Sequence, residues 1–239
     1  DDGHKGGLNG IDNGRLHFTQ VRVPRTNLLN RYGDVAEDGT YSSPIESPGR
    51  RFFTMLGTLV QGRVSLSLAA TTASFLGLHG AIAYGEQRRQ FNASSPDREE
   101  VLMDYQNHQR RLVDRLARAY ADAFASNELL ERFDGVFSGR ADSDADRQEL
   151  ETLAAAIKPL ATWNALDTLQ ETREACGGAG FMARNRIPQM RADLDVYVTF
   201  EGDNNVLLQL VGKRLLTDYS HEFGRLNVGA VSRYVVAQA

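Results

Sequence analysis

The segment Tyr197-Val198-Thr199-Phe200-Glu201-Gly202-Asp203-Asn204-Asn205 holds the residue types that proton transfer needs. A β-branched and aromatic run delivers one glutamate, then a glycine that permits a sharp turn, then a helix start. A carboxylate beside Phe200 loses hydration and becomes a stronger base. The same pattern fits a second helix-cap carboxylate beside Asp203, and spacing alone does not choose between the two. A second cluster is Cys176-Gly177-Gly178-Ala179-Gly180-Phe181-Met182-Ala183. It matches Gly-x-Gly-x-x-Ala formally, but that dinucleotide fingerprint needs a strand before it, and here a helix precedes it. Bare backbone lets a phosphate or nucleotide come close. It equally makes a helix C-cap and turn, the commoner use of such glycines.

Other chemistries find no support. The histidines His4, His17, His79, His108 and His221 are scattered, no glutamate has a histidine three residues on, and neither His-Glu-x-x-His nor Cys-x-x-Cys occurs, so no metal site is expected. His108 follows Asp104 by one helical turn and is expected to pair with it at the surface. No Gly-x-Ser-x-Gly nucleophile elbow occurs. Cys176, alone among glycines, reads as packing.

These residues must be held by helices. No proline interrupts residues 50–95, and Arg51 to Phe91 is expected to form one helix of roughly 60 Å at 1.5 Å per residue. Its small residues, among them Ser67, Ala70, Ala73, Ser74, Gly77 and Ala81, suit the centre of a bundle. Ser95-Pro96-Asp97 restarts a helix, with Ser95 or Asp97 as cap. Leu102, Tyr105, Gln109, Leu112, Leu116, Ala119, Ala123 and Leu130 give its seam. Asp134 to Asp146 reads as a polar loop. A third helix follows from Arg147 to Ala175, and Pro159 should kink it. After an irregular stretch, Asp203 caps a fourth helix, Asn204 to Tyr219. Ahead of these, the alternation Leu16-His17-Phe18-Thr19-Gln20-Val21-Arg22-Val23 predicts a half-buried strand. The fold expected is mainly α, an antiparallel four-helix bundle over 51–220. Residues 1–50 form a short β remnant and linker, and 221–239 a tail.

Composition bounds the partners. The 239 residues carry 27 Lys plus Arg and 31 Asp plus Glu, a net charge of -4, which disfavours a nucleic-acid binder. Apolar residues make up 41% and charged residues 24%, ordinary globular usage. One cysteine excludes an intrachain disulfide. No run of 18 uncharged apolar residues is found, so no membrane span is expected. The chain begins Asp1-Asp2-Gly3-His4-Lys5-Gly6-Gly7, without an initiator Met or an apolar signal core, and is expected to be a piece of a longer protein.

Several motifs in register resemble the acyl-CoA dehydrogenase and acyl-CoA oxidase superfamily, the oxidase branch most closely. They are Asp12-Asn13-Gly14, Val23-Pro24-Arg25-Thr26-Asn27-Leu28-Leu29, Asp38-Gly39-Thr40-Tyr41, Arg51-Phe52-Phe53-Thr54-Met55-Leu56, Ala175 to Phe181 and Thr199 to Asn205. The resemblance spans nearly the whole chain. It implies an FAD-dependent acyl-CoA oxidase making trans-2-enoyl-CoA and hydrogen peroxide, of which this is the end of the β domain and the C-terminal bundle. Glu201 matches the base that removes the α-proton while the β-hydride passes to the flavin. Some members place the base on the long first helix instead, where this chain has Gly62. Arg63 matches an arginine near the substrate entrance, and Gly202 falls on the same substrate side. Arg88 matches the arginine that reaches the FAD pyrophosphate of a partner subunit, Phe91 a ring contact, and Gln106 a glutamine near the flavin nucleotide. Gly177, Gly178 and Gly180 match the stretch along the ADP half of FAD. Asp203 and Glu174 stand at cofactor-side positions where dehydrogenases often carry Thr and Gln. The resemblance further implies a homodimer through the bundle, cytoplasmic if bacterial and peroxisomal if eukaryotic. It leaves open a dehydrogenase served by an electron-transfer flavoprotein, and a non-catalytic assembly module. The isolated chain is expected to bind FAD poorly and to be inactive.

Overall fold

Small side chains set the architecture. The structure, a computed structural model, describes residues 3–225. Helices α1 (Pro48–Leu56) and α2 (Leu59–Gln87) are separated by a break at Gly57 and Thr58, so the single helix expected from Arg51 to Phe91 is two pieces, and it stops four residues early. Then come α3 (Gln106–Phe137), α4 (Asp144–Ala175), the short α5 (Gly177–Phe181), α6 (Ile187–Asp195) and α7 (Asn204–Arg225).

Two core layers fix the helix directions. One joins Val60 and Val64 of α2, Leu129 and Val136 of α3, and Leu150 and Ala154 of α4. The other joins Ala70 to Ala81, Leu112 and Ala119, and Ala161 to Ala175 of the same helices. Thus α2 and α4 run the same way and α3 runs against both. The α2–α4 pair is the most extensive in the molecule, and α4 also carries α5, α6 and α7. Gly77 shows why small residues line α2: a Cβ there would lie 2.9 Å from Thr172 Oγ1 and 3.0 Å from Leu169 Cδ2. By length and composition α2 would also suit a bilayer. Here its apolar residues pack against α3 and α4 instead.

Several expectations are corrected. The strand over Leu16–Val23 does not form; Leu16 is 81% and Phe18 77% exposed. A lone alternating segment has no partner to complete its hydrogen bonds. Among its described residues, the N-terminal part before α1 carries the 3₁₀ turn Arg25–Asn27 and the two-residue pair β1 (Asp34–Val35) and β2 (Tyr41–Ser42). Ser95-Pro96-Asp97 does not start a helix but turns the antiparallel hairpin of β3 (Arg89–Ser95) and β4 (Arg98–Val101). Proline serves a turn as well as it serves a first helical residue. The loop expected over 134–146 shortens to 138–143, because Ser143 and Asp146 form a capping box that starts α4 early. The buried stripe of α3 passes through Leu112, Ala119, Asp122, Ser126 and Leu129, leaving Leu130 exposed. Pro159 lies buried inside α4. The stretch expected to be irregular after Gly180 contains α6, anchored by Ile187 and Leu194. The fourth helix begins at Asn204 as expected and runs past Tyr219 to Arg225; of the tail, 226–239 lies outside the described residues.

Candidate functional site

Two clusters of the expected residues form, at opposite ends of α2. The first surrounds Glu201. The 3₁₀ turn Val196–Val198 stacks Tyr197 on Phe200, with ring centroids 5.2 Å apart. The chain then reverses with φ of 55° at Glu201 and 103° at Gly202. A non-glycine residue in the left-handed region costs energy and persists only where its surroundings hold it.

Three elements supply the hold. From α2, Arg63 Nε donates to the carbonyl of Glu201 at 3.0 Å. From α4, Lys158 Nζ donates to the carbonyl of Gly202 at 2.7 Å and to Asn204 Oδ1 at 2.9 Å. Asn204 Nδ2 in turn donates to Thr162 Oγ1 at 3.1 Å. At the start of α7, Asp203 Oδ1 accepts from the backbone N–H of Asn205 at 2.9 Å, the cap expected of it.

The carboxylate itself lies over Gly62. A Cβ on Gly62 would come 2.6 Å from Glu201 Cδ and within 2.8 Å of both carboxylate oxygens. Glu201 Oε2 is buried without a hydrogen-bond partner. Burial pushes the Arg63 guanidinium below its ordinary value, against the opposing pull of Glu201 and Glu151. Burial likewise lowers Lys158 to about 8, with Arg63 adding to the shift and Asp203 and Glu201 opposing it. Beside this turn opens a cavity of about 710 Å³, lined by Phe200 and Val196, by Arg191 and Ala192 of α6, and by Leu8 and Ile11.

The second cluster brings Arg88 to Gly177 and Gly178. Together with Gln90, His108, Arg111 and Glu174 they line a polar cavity of about 290 Å³. A Cβ on Gly177 or Gly178 would meet nothing within 4 Å, so bare backbone faces open space there. Glu174 does not leave an uncompensated negative charge beside them. Gln170 Nε2 donates to it at 2.7 Å and holds its carboxyl below the ordinary value, and Arg173 and Arg111 lie at 3.5 and 3.4 Å. Arg111 is held by Glu171 and Glu174, and Arg88 with the exposed glycine backbone fits a phosphate-bearing group.

His108 is not the surface partner of Asp104. It packs toward Gly85 and this cavity, its Nε2 buried and unpartnered, and burial lowers its pKa. Gly180 is buried away from the cavity, where a side chain would collide with the Arg173 carbonyl. Phe91 stands exposed on β3 with φ of 64°. Gln106 is exposed at the first turn of α3, and neither it nor Phe91 lines the cavity. Asp203 sits at the Glu201 turn rather than with Arg88. Cys176 is buried and its thiol is pushed up by burial, as packing requires. Among the described residues, no three His, Cys, Asp or Glu gather as metal ligands.

Lys158 and Asn204 escaped the sequence reading. The signal was available: the buried stripe of α4 through Leu150, Ala154, Ala161, Ala165 and Leu169 passes directly through Lys158.

Residues 56–216 match the acyl-CoA oxidase C-alpha1 domain family. The chain is 42% identical over 219 residues to the peroxisomal acyl-coenzyme A oxidase 3 of Arabidopsis thaliana, taking in 92% of this chain and 32% of that protein. The chain therefore spans about a third of the length of this relative. Arabidopsis acyl-CoA oxidase 1 superposes with a TM-score of 0.81 at 33% identity, over 95% of this chain and 34% of that one. The acyl-CoA oxidase-2 of Caenorhabditis elegans, solved with FAD, ascaroside-CoA and ATP, gives 0.79 at 28% identity, over 96% and 35%.

Proposed function

Because the chain belongs to the acyl-CoA oxidase family, we propose that it supplies the base for FAD-dependent oxidation of acyl-CoA to trans-2-enoyl-CoA, with oxygen taking the electrons as hydrogen peroxide. The observation that carries this reading is the half-buried Glu201, its carboxylate set over Gly62 with Oε2 buried and unpartnered. An oxygen spared from hydrogen bonding is available to accept a proton.

Glu201 takes the α-proton of the thioester. The clamped turn keeps its carboxylate in one direction, which is where much of the advantage of a bound reaction arises. Arg63 and Gly202 would face the substrate, and the cavity beside Phe200, with Leu8, Ile11, Ala192 and Val196 in its lining, offers apolar walls for an acyl chain. Arg88, Gly177 and Gly178 would hold the phosphates of FAD, with the buried Gly180 allowing the tight backbone turn behind them, while Asp203 serves the Glu201 turn at the other end of α2. The flavin, when bound, supplies the two-electron acceptor that the chemistry requires.

Gly62 and Gln87 are about 38 Å apart along α2 at 1.5 Å per residue. That is farther than one FAD reaches, so the base and the phosphate-binding end of one protomer serve different cofactors. This supports a homodimer in which each bundle completes its partner's flavin site. It also fits an isolated chain that binds FAD weakly and does not turn over. The named relative is peroxisomal. The same location is expected here in a eukaryote, and the cytoplasm in a bacterium.

The test is the full-length protein given acyl-CoA with oxygen as sole acceptor. Peroxide and enoyl-CoA should form in equal amounts, and Glu201→Gln should cut turnover at least about a hundredfold while FAD stays bound. Enoyl-CoA formed only with an added flavoprotein acceptor would mark a dehydrogenase. A full-length protein that takes up no flavin would mark an assembly module. Near-normal turnover in the variant would remove Glu201 from the reaction.

A further inference from the structure

Lys158 is 0% exposed. Lysine is almost never fully buried unless paired, because dehydrating an ammonium is costly. A lysine serving only to fill space on the α4 stripe would be better replaced by an apolar residue of its size. Both of its hydrogen-bond partners belong to the turn that carries Glu201: the Gly202 carbonyl and the Asn204 side chain. The brace continues inward. Asn204 and Thr162 are each 1% exposed; Asn204 donates to Thr162 Oγ1, which donates to the Lys158 carbonyl at 2.8 Å.

Across the turn, Arg63 fixes the preceding carbonyl, that of Glu201. The peptide planes on both sides of Gly202 are thus each tied to a cation, one from α4 and one from α2. Two fixed planes fix φ and ψ of Gly202 between them, and the first of the planes carries the Glu201 Cα, so together they hold the backbone from which the carboxylate projects. The ammonium bonds to backbone and amide oxygens and leaves Glu201 Oε2 unpartnered. The charged groups facing it are Arg63, Asp203 and Glu201.

We propose that Lys158, braced by Asn204 and Thr162, is a positioning residue for the Glu201 carboxylate, acting through the turn and not on substrate. The inference rests on the reading of Glu201 as the base.

The experiment uses full-length, FAD-loaded protein, with rates expressed per bound flavin. Lys158→Met keeps the length of the side chain and removes its donors. Turnover should fall ten- to hundredfold, the effect of roughly 1 Å of misplacement, with KM for acyl-CoA within about twofold. The primary isotope effect with acyl-CoA deuterated at Cα should rise, because proton removal becomes the slower step. Loss of stability alone would lower flavin content without moving that isotope effect. If Lys158→Met yields no flavin-loaded protein, Thr162→Val decides, by an expected three- to tenfold fall with the same rise in isotope effect. Unchanged turnover and isotope effect in the variant that can be measured would overturn the positioning role and leave Glu201 in place. If acyl-CoA fails to bleach the wild-type flavin anaerobically, the reading of Glu201 falls and the role of Lys158 falls with it.

Discussion

The two ends of α2 solve opposite problems. At one end the Glu201 turn is closed in by α2, α4 and α7, its carbonyls tied to Arg63 and Lys158 and its carboxylate set over a missing side chain at Gly62. At the other end Arg88, Gly177 and Gly178 are exposed around an open polar cavity. A base gains from immobility and from losing water. A phosphate-binding surface must instead stay accessible, because its ligand arrives from outside the chain. On the proposed reading, rigidity falls where a proton would move, and openness where a cofactor would be received.

Substitutions can be aimed at one end while sparing the other. Gly62→Ala should be the most damaging. Its methyl group would displace the Glu201 carboxylate, and turnover of the full-length enzyme should drop about a hundredfold with FAD content unchanged, read by steady-state kinetics and flavin absorbance. Loss of flavin in this variant would break the separation between the two ends. Arg88→Gln should do the reverse, weakening FAD retention roughly ten- to a hundredfold in a flavin titration, the worth of one charge-assisted hydrogen bond. Turnover per bound flavin should remain near normal. Gly178→Ala is the finest probe. Its added methyl meets nothing within 4 Å, so stability should change by less than about 0.5 kcal/mol in a thermal melt. FAD affinity should still fall roughly five- to tenfold if the cofactor lies against this backbone. Unaltered affinity would leave Gly178 as a helix-end glycine.

Much of this was legible in the residues, and the exceptions share a cause. The long helices declared themselves by small and apolar periodicity, and Asp203 by its place ahead of α7. Glu201 stood out because one carboxylate between an aromatic and a glycine is an unusual arrangement. The Leu16–Val23 strand was misread because alternation reports a preference for a sheet, which only a neighbouring strand can satisfy. The β3–β4 hairpin was misread because Ser-Pro-Asp serves a turn and a helix start alike. Helix α6 offers two buried anchors in nine residues, too few to show a period. Lys158 was passed over because a charged residue is assigned to the surface by default, and only its register on the α4 stripe says otherwise.

The turn at Glu201 has a bearing on assembly of the chain. Its two cationic anchors lie 138 and 44 positions away in sequence. No local interaction accounts for the left-handed backbone at Glu201, so a short synthetic peptide spanning it would relax to ordinary extended or helical geometry. The turn can take its shape only after the flanking helices have docked, which makes it among the last features to mature during folding and an early one to be lost when the helices part.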